Sequence, residues 1–129
     1  LLQILATLIE IHHDTLSNEE QNDYPYRIYL QQAVDYMNDH IKENIKISEV
    51  AAHIGIDRSY LSGIFKNTLK ISPQEYLLTL RMDHAAGLLK NTQDKISSIA
   101  ADVGYEDPLT FTKMFKKYKG MSPSEWRRK

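Results

Sequence analysis

Few side chains in this sequence are arranged for chemistry on a substrate. The one cluster that resembles a metal-ligand set is His12, His13 and Asp14. Neighbouring residues of a helix point about 100° apart, so the two imidazoles are poorly placed to bind one ion, and we interpret both histidines as surface residues. The chain contains no cysteine, which excludes a thiolate zinc site and a cysteine nucleophile. No nucleophile–base pair, phosphate-cradling glycine loop or carboxylate cluster is present, so we expect no metal, no cofactor and no enzymatic activity.

Charge is distributed unevenly along the chain, although the net charge is only −1. Residues 1–45 contain 2 basic and 8 acidic side chains, whereas residues 46–129 contain 14 basic and 9 acidic ones. A basic module can indicate a surface that binds phosphate groups. An ordinary solvated surface explains a charge of this size equally well, so charge alone leaves both interpretations open.

A unit of 30 residues occurs twice in this basic part. Residues 47–56 match residues 96–105, residues 57–76 match residues 107–126, and 11 of the 30 aligned pairs are identical. A repeat of this size indicates one supersecondary element that is used twice.

Each copy begins with a pattern for two helices joined by a tight turn. Apolar residues at offsets of 0, 3, 4 and 7 predict a short helix that ends at Gly55 in the first copy and at Gly104 in the second, because glycine accepts the left-handed backbone of a helix C-terminus. Asp57 and Asp107 follow, where a carboxylate can cap the next helix. Each copy ends in Ser-Pro-x-Glu, a capping box that predicts a long helix over about 73–90 and a short terminal helix anchored by Trp126.

The rest of the chain also has helical spacing, and no strand pattern is present. Residues 1–16 form a predicted apolar helix, residues 17–25 a polar linker ending in proline, and residues 26–42 a helix whose apolar stripe should cover the first pair. We therefore expect an all-α fold with seven helices after the linker.

A short helix, a glycine turn and a second helix are the plan of the helix-turn-helix, whose second helix enters the major groove of DNA. Two other interpretations are a helical bundle that happens to repeat and a protein-interaction module in which the basic charge is incidental. Two matched copies in the basic part favour DNA binding over both.

The segments IAADVGYEDPLTFTKMFKKYKGMSPSEWR (residues 99–127) and RMDHAAGLL (residues 81–89) resemble the DNA-binding domain of the AraC/XylS family of bacterial transcription regulators. The resemblance covers about residues 26–128. It implies a domain over residues 24–129 with two homeodomain-like helix-turn-helix subdomains, about 48–68 and 97–118, which bind successive major grooves on one side of double-stranded promoter DNA. A linking helix of about 18 residues spans roughly 27 Å, short of the roughly 34 Å between grooves, so the subdomain bodies supply the remainder or the DNA bends.

By position, the resemblance assigns DNA-facing residues on both recognition helices. Those of the first are Ser59, Tyr60, Ser62 and Gly63, with Lys66 near phosphate. Those of the second are Pro108, Leu109, Thr110, Thr112 and Lys113, with Lys116 and Lys117 toward the backbone. Lysine can donate to guanine O6 and N7, hydroxyls can donate or accept, and leucine and threonine methyl groups can contact thymine methyls. Phosphate contacts fix the register and make binding depend on salt.

Two residues depart from the family pattern. Gly63 stands where a long polar or basic side chain is common, so the first unit should read few bases directly, and glycine weakens its helix by about 1 kcal/mol relative to alanine. Lys70 matches Gly120, where a helix-ending glycine is usual. Either this helix closes differently, or Lys70 is kept for a phosphate contact.

The chain starts at Leu1, and we interpret it as the C-terminal part of a longer, ligand-responsive regulator. We expect residues 1–23 to close a missing N-terminal sensor domain and either to mediate homodimerisation or to dock on their own chain. The longest apolar stretch, residues 1–11, is too short to span a bilayer, and we expect a cytoplasmic protein. The resemblance implies an effector bound by the missing domain and RNA polymerase as a partner. The sequence leaves open whether transcription is activated or repressed.

Overall fold

The computed structural model describes residues 20–129, with side chains described from Tyr26 onward. All regular secondary structure in this range is helical, as predicted. The seven helices are α1 (Glu20–Asp39), α2 (Ile47–Ile54), α3 (Arg58–Leu69), α4 (Pro73–Asn91), α5 (Ile96–Asp102), α6 (Pro108–Lys119) and α7 (Pro123–Arg128). The predicted N-terminal helix over residues 1–16 lies outside the described residues.

The predicted linker over residues 17–25 is wrong from Glu20 onward, because α1 is already helical there and contains Pro25. Proline removes one backbone hydrogen bond and crowds the preceding turn. Here that disturbance falls in the first two turns of a 20-residue helix, so the rest of α1 keeps its hydrogen bonds. The helix also ends at Asp39 rather than near Lys42.

The described chain divides into two compact units. The first contains α1, α2, α3 and the start of α4 up to Leu77, and the second contains the rest of α4, α5, α6, α7 and the segment from His40 to Asn44. In the first unit α1 packs against α2 and α3, which confirms the predicted covering role of this helix. The fully buried side chains of this unit include Leu30, Met37, Val50, Leu61, Phe65 and Tyr76.

The second unit has its own core on the inner faces of α4, α5 and α6. Its buried members include Met82, Leu89, Ile99, Val103, Phe111 and Phe115. Trp126 packs edge-on against Phe115 with 5.8 Å between ring centroids, and its indole N–H donates to the carbonyl oxygen of Ala86 at 3.3 Å. The predicted anchoring role of Trp126 is therefore confirmed. Tyr118, near the end of α6, is 40% exposed.

A buried arginine holds the turn between α5 and α6 in the second unit. Arg81 on α4 is only 6% exposed. Its Nη1 donates to the carbonyl oxygens of Ile41, at 2.7 Å, and of Val103, and its Nη2 donates to the carbonyl of Glu43 at 2.9 Å. These three bonds compensate a charge that burial disfavours, and burial lowers the pKa of Arg81.

Gly104 lies directly against this arginine. Its φ is +90°, and a Cβ added there would stand 1.7 Å from Nη1 of Arg81 and 2.7 Å from the carbonyl oxygen of Ile41. Gly55, the matching residue of the first unit, also has a positive φ, +79°, but a Cβ there would meet nothing within 4 Å. The backbone conformation therefore explains the glycine in the first unit. In the second unit, the backbone conformation and the lack of space for a Cβ both explain it.

None of the helices within residues 20–129 is both long enough and apolar enough to cross a membrane.

Candidate nucleic-acid interface

The start of α6 is fixed by a capping carboxylate. Asp107 accepts a hydrogen bond from the backbone N–H of Leu109 at 3.1 Å and one from the hydroxyl of Thr110 at 2.8 Å. Its bond from Thr110, its bonds from the backbone and the nearby charge of Lys113 lower the pKa of Asp107, with some opposition from desolvation. The predicted cap is confirmed here, and the carboxyl is ionised at neutral pH.

The outer face of α6 presents the predicted residues to solvent. Leu109 is 73% exposed, which is unusual for a large apolar side chain. Leu109, Lys113 and Lys116 lie at offsets of 0, 4 and 7 and therefore share one face of the helix. Pro108, Thr110 and Lys117 are also exposed, and Thr112 is half-buried.

That face is opposite the side of α6 that enters the core. Phe111 and Phe115 are fully buried, and their packing sets the rotation of the helix about its axis. An apolar side chain, hydroxyls and ammonium groups are thereby collected on the other side, and the helix has no acidic residue beyond its cap. This is a composition that suits base edges and phosphates.

The start of α3 differs from that of α6. Asp57 has the extended backbone of a cap, but its side chain accepts no capping hydrogen bond, so the predicted cap is wrong in this unit. In the second unit the hydroxyl of Thr110 holds the capping carboxylate. The matching residue of the first unit is Tyr60, whose ring turns instead to α1.

Tyr60 belongs to a cluster of three tyrosines. Its ring centroid lies 5.7 Å from that of Tyr26 and 6.0 Å from that of Tyr29. Desolvation chiefly, then a hydrogen bond and charge coupling with Tyr26, raise the pKa of Tyr60. The side chain remains 41% exposed, so it lies at the edge of the predicted face with its ring fixed from one side.

The other predicted residues of α3 have small side chains, apart from one lysine. Ser59 and Lys66 are exposed, whereas Ser62 and Gly63 are half-buried. A Cβ at Gly63 would meet nothing within 4 Å, so neighbouring atoms do not require glycine there. The four residues lie at offsets of 0, 3, 4 and 7, which places them on one face of the helix.

Lys70 ends α3 in the left-handed conformation, with a φ of +65°. Its counterpart Gly120 ends α6 with a φ of +82°. The two helices thus close in the same way, and the expectation of a different closure is wrong. The ammonium of Lys70 donates to the carbonyl oxygen of Asn67 at 3.0 Å, which satisfies one free carbonyl at the helix end and helps to compensate the strain. A phosphate contact of Lys70 stays a prediction.

Three exposed basic residues were not singled out from the sequence. Arg58 is the exposed first residue of α3, and Lys46 and Lys95 are the exposed cap residues of α2 and α5. The two lysines stand at matching places immediately before the two copies of the repeat, and that correspondence was a signal in the sequence.

Histidines give no metal site in the part of the chain that the structure describes. No group of three or more His, Cys, Asp or Glu side chains among residues 26–129 is arranged to hold an ion, and His12, His13 and Asp14 lie outside this range. His53 is exposed, with its ring centroid 4.5 Å from that of Tyr36. The buried Nε2 of His84 has no hydrogen-bond partner among the described residues. Burial chiefly lowers the pKa of His84, against the opposing charge of Asp83.

Comparisons with known proteins agree on one family. Residues 50–129 match a family model described as a helix-turn-helix domain. The lactose operon transcription activator of Staphylococcus xylosus is 45% identical over 98 residues, which are 76% of this chain and 35% of that protein. The Msm operon regulatory protein of Streptococcus mutans is 34% identical over 128 residues, which are 99% of this chain and 45% of that protein. The chain thus spans less than half the length of these curated relatives.

Solved structures show the same fold. The C-terminal domain of AraT, a response regulator from Geobacillus stearothermophilus, is 35% identical, with a TM-score of 0.75 and coverage of 78% of this chain and 84% of that one. The DNA-binding domain of AdpA, solved in complex with a target DNA, has a TM-score of 0.72 at 23% identity and covers 77% of this chain and 89% of that one. The repeat, the two helix-turn-helix units and these matches together show that the chain belongs to the AraC/XylS family of DNA-binding transcription regulators.

Proposed function

We propose that this chain binds double-stranded promoter DNA sequence-specifically and inserts α3 and α6 into successive major grooves. The observation that carries the proposal is the outer face of α6, where Leu109 and Lys113 project from a helix whose opposite side is locked into the core. The proposed role is binding without catalysis. The residues proposed to contact DNA are the twelve named from the sequence, with supporting backbone contacts from Lys46, Arg58 and Lys95.

The two recognition helices should contribute unequally. The outer face of α6 has Lys113, Lys116 and Lys117, whereas the matching places on α3 are occupied by Gly63, Lys66 and an asparagine. Each lysine that neutralises a phosphate releases counterions and adds about 1 unit to the salt dependence of binding. The second unit should therefore supply more of the affinity and more of its salt dependence than the first.

The matching basic residues outside these faces have a supporting role in the proposal. Lys46 and Lys95 are exposed beside the N-termini of α2 and α5, the helices that cross the DNA backbone in a helix-turn-helix. Helix N-termini and ammonium groups both favour phosphate, so we place these lysines, with Arg58, at the backbone rather than at the bases.

The names of the relatives support a proposal for the biological setting. Since one is a lactose operon activator and another is the raffinose operon regulatory protein of Pediococcus pentosaceus, 38% identical over 96 residues, we propose a cytoplasmic activator of a sugar operon. An effector domain outside this chain, RNA polymerase as a partner and homodimerisation through the N-terminal region belong to the same proposal.

Selection of bound sequences from a random pool of duplex DNA, followed by gel-shift titration, tests the DNA-binding function. The wild-type chain should enrich one sequence, and the double variant Thr112→Ala/Lys113→Ala should lose preference for it while keeping its helicity by circular dichroism. Lys90→Ala is the matched control, because Lys90 is exposed but lies on α4.

Two results would count against the proposal. Enrichment of no sequence, together with flow-through from a heparin column at low salt, would favour a protein-interaction module. Unchanged specific affinity in the double variant would mean that the outer face of α6 does not meet the bases.

A further inference from the structure

The two threonines on the outer face of α6 have no hydroxyl proton left for DNA. Thr110 donates its proton to Asp107, an ionised carboxylate that can only accept. Thr112 donates to the backbone carbonyl oxygen of Pro108 at 2.9 Å, and a carbonyl can also only accept. Each hydroxyl oxygen can therefore offer DNA only its lone pairs, beside the methyl group of the side chain.

This restricts what the threonines can contact. Phosphate oxygens, guanine O6 and N7, adenine N7 and thymine O4 are all acceptors, so a hydroxyl whose proton is engaged gains nothing from them. The remaining groups of the major groove are the amino groups of cytosine and adenine and the methyl group of thymine. Neither Thr110 nor Thr112 can then fix the register of the protein through phosphate.

Leu109 adds an apolar group to the same surface. Its side chain is 73% exposed, and it lies one helical turn from Thr112. The matching residue on α3 is Ser59, which offers no comparable apolar area. An apolar contact to the groove is thus available to the second unit through Leu109 and is not available at the corresponding place of the first.

We propose that α6 recognises its half-site chiefly through thymine methyl groups contacted by Leu109 and Thr112, while the threonine hydroxyls act only as acceptors. On this face Lys113 is then the residue that donates a hydrogen bond to a base acceptor, such as guanine O6 or N7. The inference rests on the proposed function, because it requires that α6 enters the major groove.

Replacing thymine by uracil in the selected sequence tests the methyl contacts without altering the protein. At one or more thymines, the replacement should weaken binding of the wild-type chain about fourfold. This is the change in affinity expected from the loss of one buried methyl group. The same replacements should have no effect on the Leu109→Ala or Thr112→Ser variant that lacks the partner group.

The variant Thr112→Val tests the role of the hydroxyl, because valine keeps a methyl and removes the oxygen. We expect Thr112→Ser to lose about fourfold in specific affinity and Thr112→Val to lose less than Thr112→Ser. A loss of about tenfold or more in Thr112→Val, with unchanged circular dichroism, would mean that the hydroxyl makes a hydrogen bond to DNA, and it would overturn the inference that Thr112 contributes chiefly through its methyl group.

The outcomes separate this inference from the function on which it rests. If the chain selects one sequence but every thymine tolerates uracil, DNA recognition stands and the methyl readout is refuted. If the pool yields no preferred sequence, the proposed function fails first.

Discussion

Substituting alanine at two matching glycines should have very different effects on stability. Gly55 and Gly104 both have positive φ, and both stand where a short helix turns toward a recognition helix. Only Gly104 is in contact with Arg81, whose guanidinium occupies the space that a Cβ would need. Gly55→Ala is therefore a control for the backbone strain that Gly104→Ala also introduces.

The magnitudes follow from these contacts. The left-handed conformation costs a non-glycine residue about 1 kcal/mol or somewhat more, and Gly55→Ala should lower the free energy of unfolding by about that amount. In Gly104→Ala the guanidinium must also move, which breaks its bonds to the carbonyls of Ile41 and Val103. Hydrogen bonds to a charged group contribute about 1.5 kcal/mol or more each, so the total loss should reach about 4 kcal/mol.

Urea denaturation distinguishes the two variants. Circular dichroism follows the helices of both units and therefore also the first unit, which contains Gly55. The fluorescence of Trp126, the only tryptophan of the chain, follows the second unit, against whose core it packs. We expect a difference of about 3 kcal/mol between the variants and, in the Arg81→Ala background, a clearly smaller effect of Gly104→Ala, because contacting residues are not additive. Equal losses in both variants would refute the steric role assigned to Arg81.

Three further predictions concern affinity, helix stability and pH. Lys116→Ala should weaken binding to all sequences and reduce the salt slope of log K by about 1 unit, with Lys90→Ala unchanged; a loss confined to one sequence would instead mean a base contact. Gly63→Ala should raise the free energy of unfolding by about 1 kcal/mol, since a Cβ there meets nothing within 4 Å; a destabilised variant in urea would contradict this. Because burial lowers the pKa of His84 in the folded state, the unfolded state binds more protons, so stability is retained above about pH 6.5 and decreases as the pH falls through the folded pKa. His84→Gln should show a weaker decrease between pH 7 and 5 in the same urea titrations, and an identical decrease would exclude His84 as its source.

Much of the fold could be predicted because its signals are local. The repeat, the left-handed glycine and the capping boxes each depend on residues a few places apart. The predicted boxes are present in the structure, where the backbone N–H groups of Glu75 and Glu125 donate to the hydroxyls of Ser72 and Ser122 at 3.1 and 3.2 Å. The buried stripe of α1 was likewise read correctly from helical periodicity.

The features that the sequence did not reveal depend on contacts between distant residues. Arg81 bonds to carbonyls 38 to 40 residues before it and 22 residues after it, and a backbone carbonyl leaves no mark in a sequence. Asp57 and Asp107 are identical in type and place, yet only Asp107 has a neighbouring threonine that holds its carboxylate.

For the candidate interface, the same periodicity that buried Phe111 and Phe115 placed the outer face of α6 correctly in solvent. The residue types do not show which hydroxyl groups of this face remain free to donate a hydrogen bond. That depends on hydrogen bonds that form only in the folded chain. Contact of these residues with DNA stays a prediction.

Chemical footprinting of the chain on its selected sequence tests the central claim most directly. Two recognition helices that enter successive major grooves should protect two blocks of bases about 10 base pairs apart on one side of the duplex. The block assigned to α6 should disappear in the Thr112→Ala/Lys113→Ala variant and persist in Lys90→Ala. A single protected block, or two blocks on opposite sides of the duplex, would contradict the claim that both units read the DNA together.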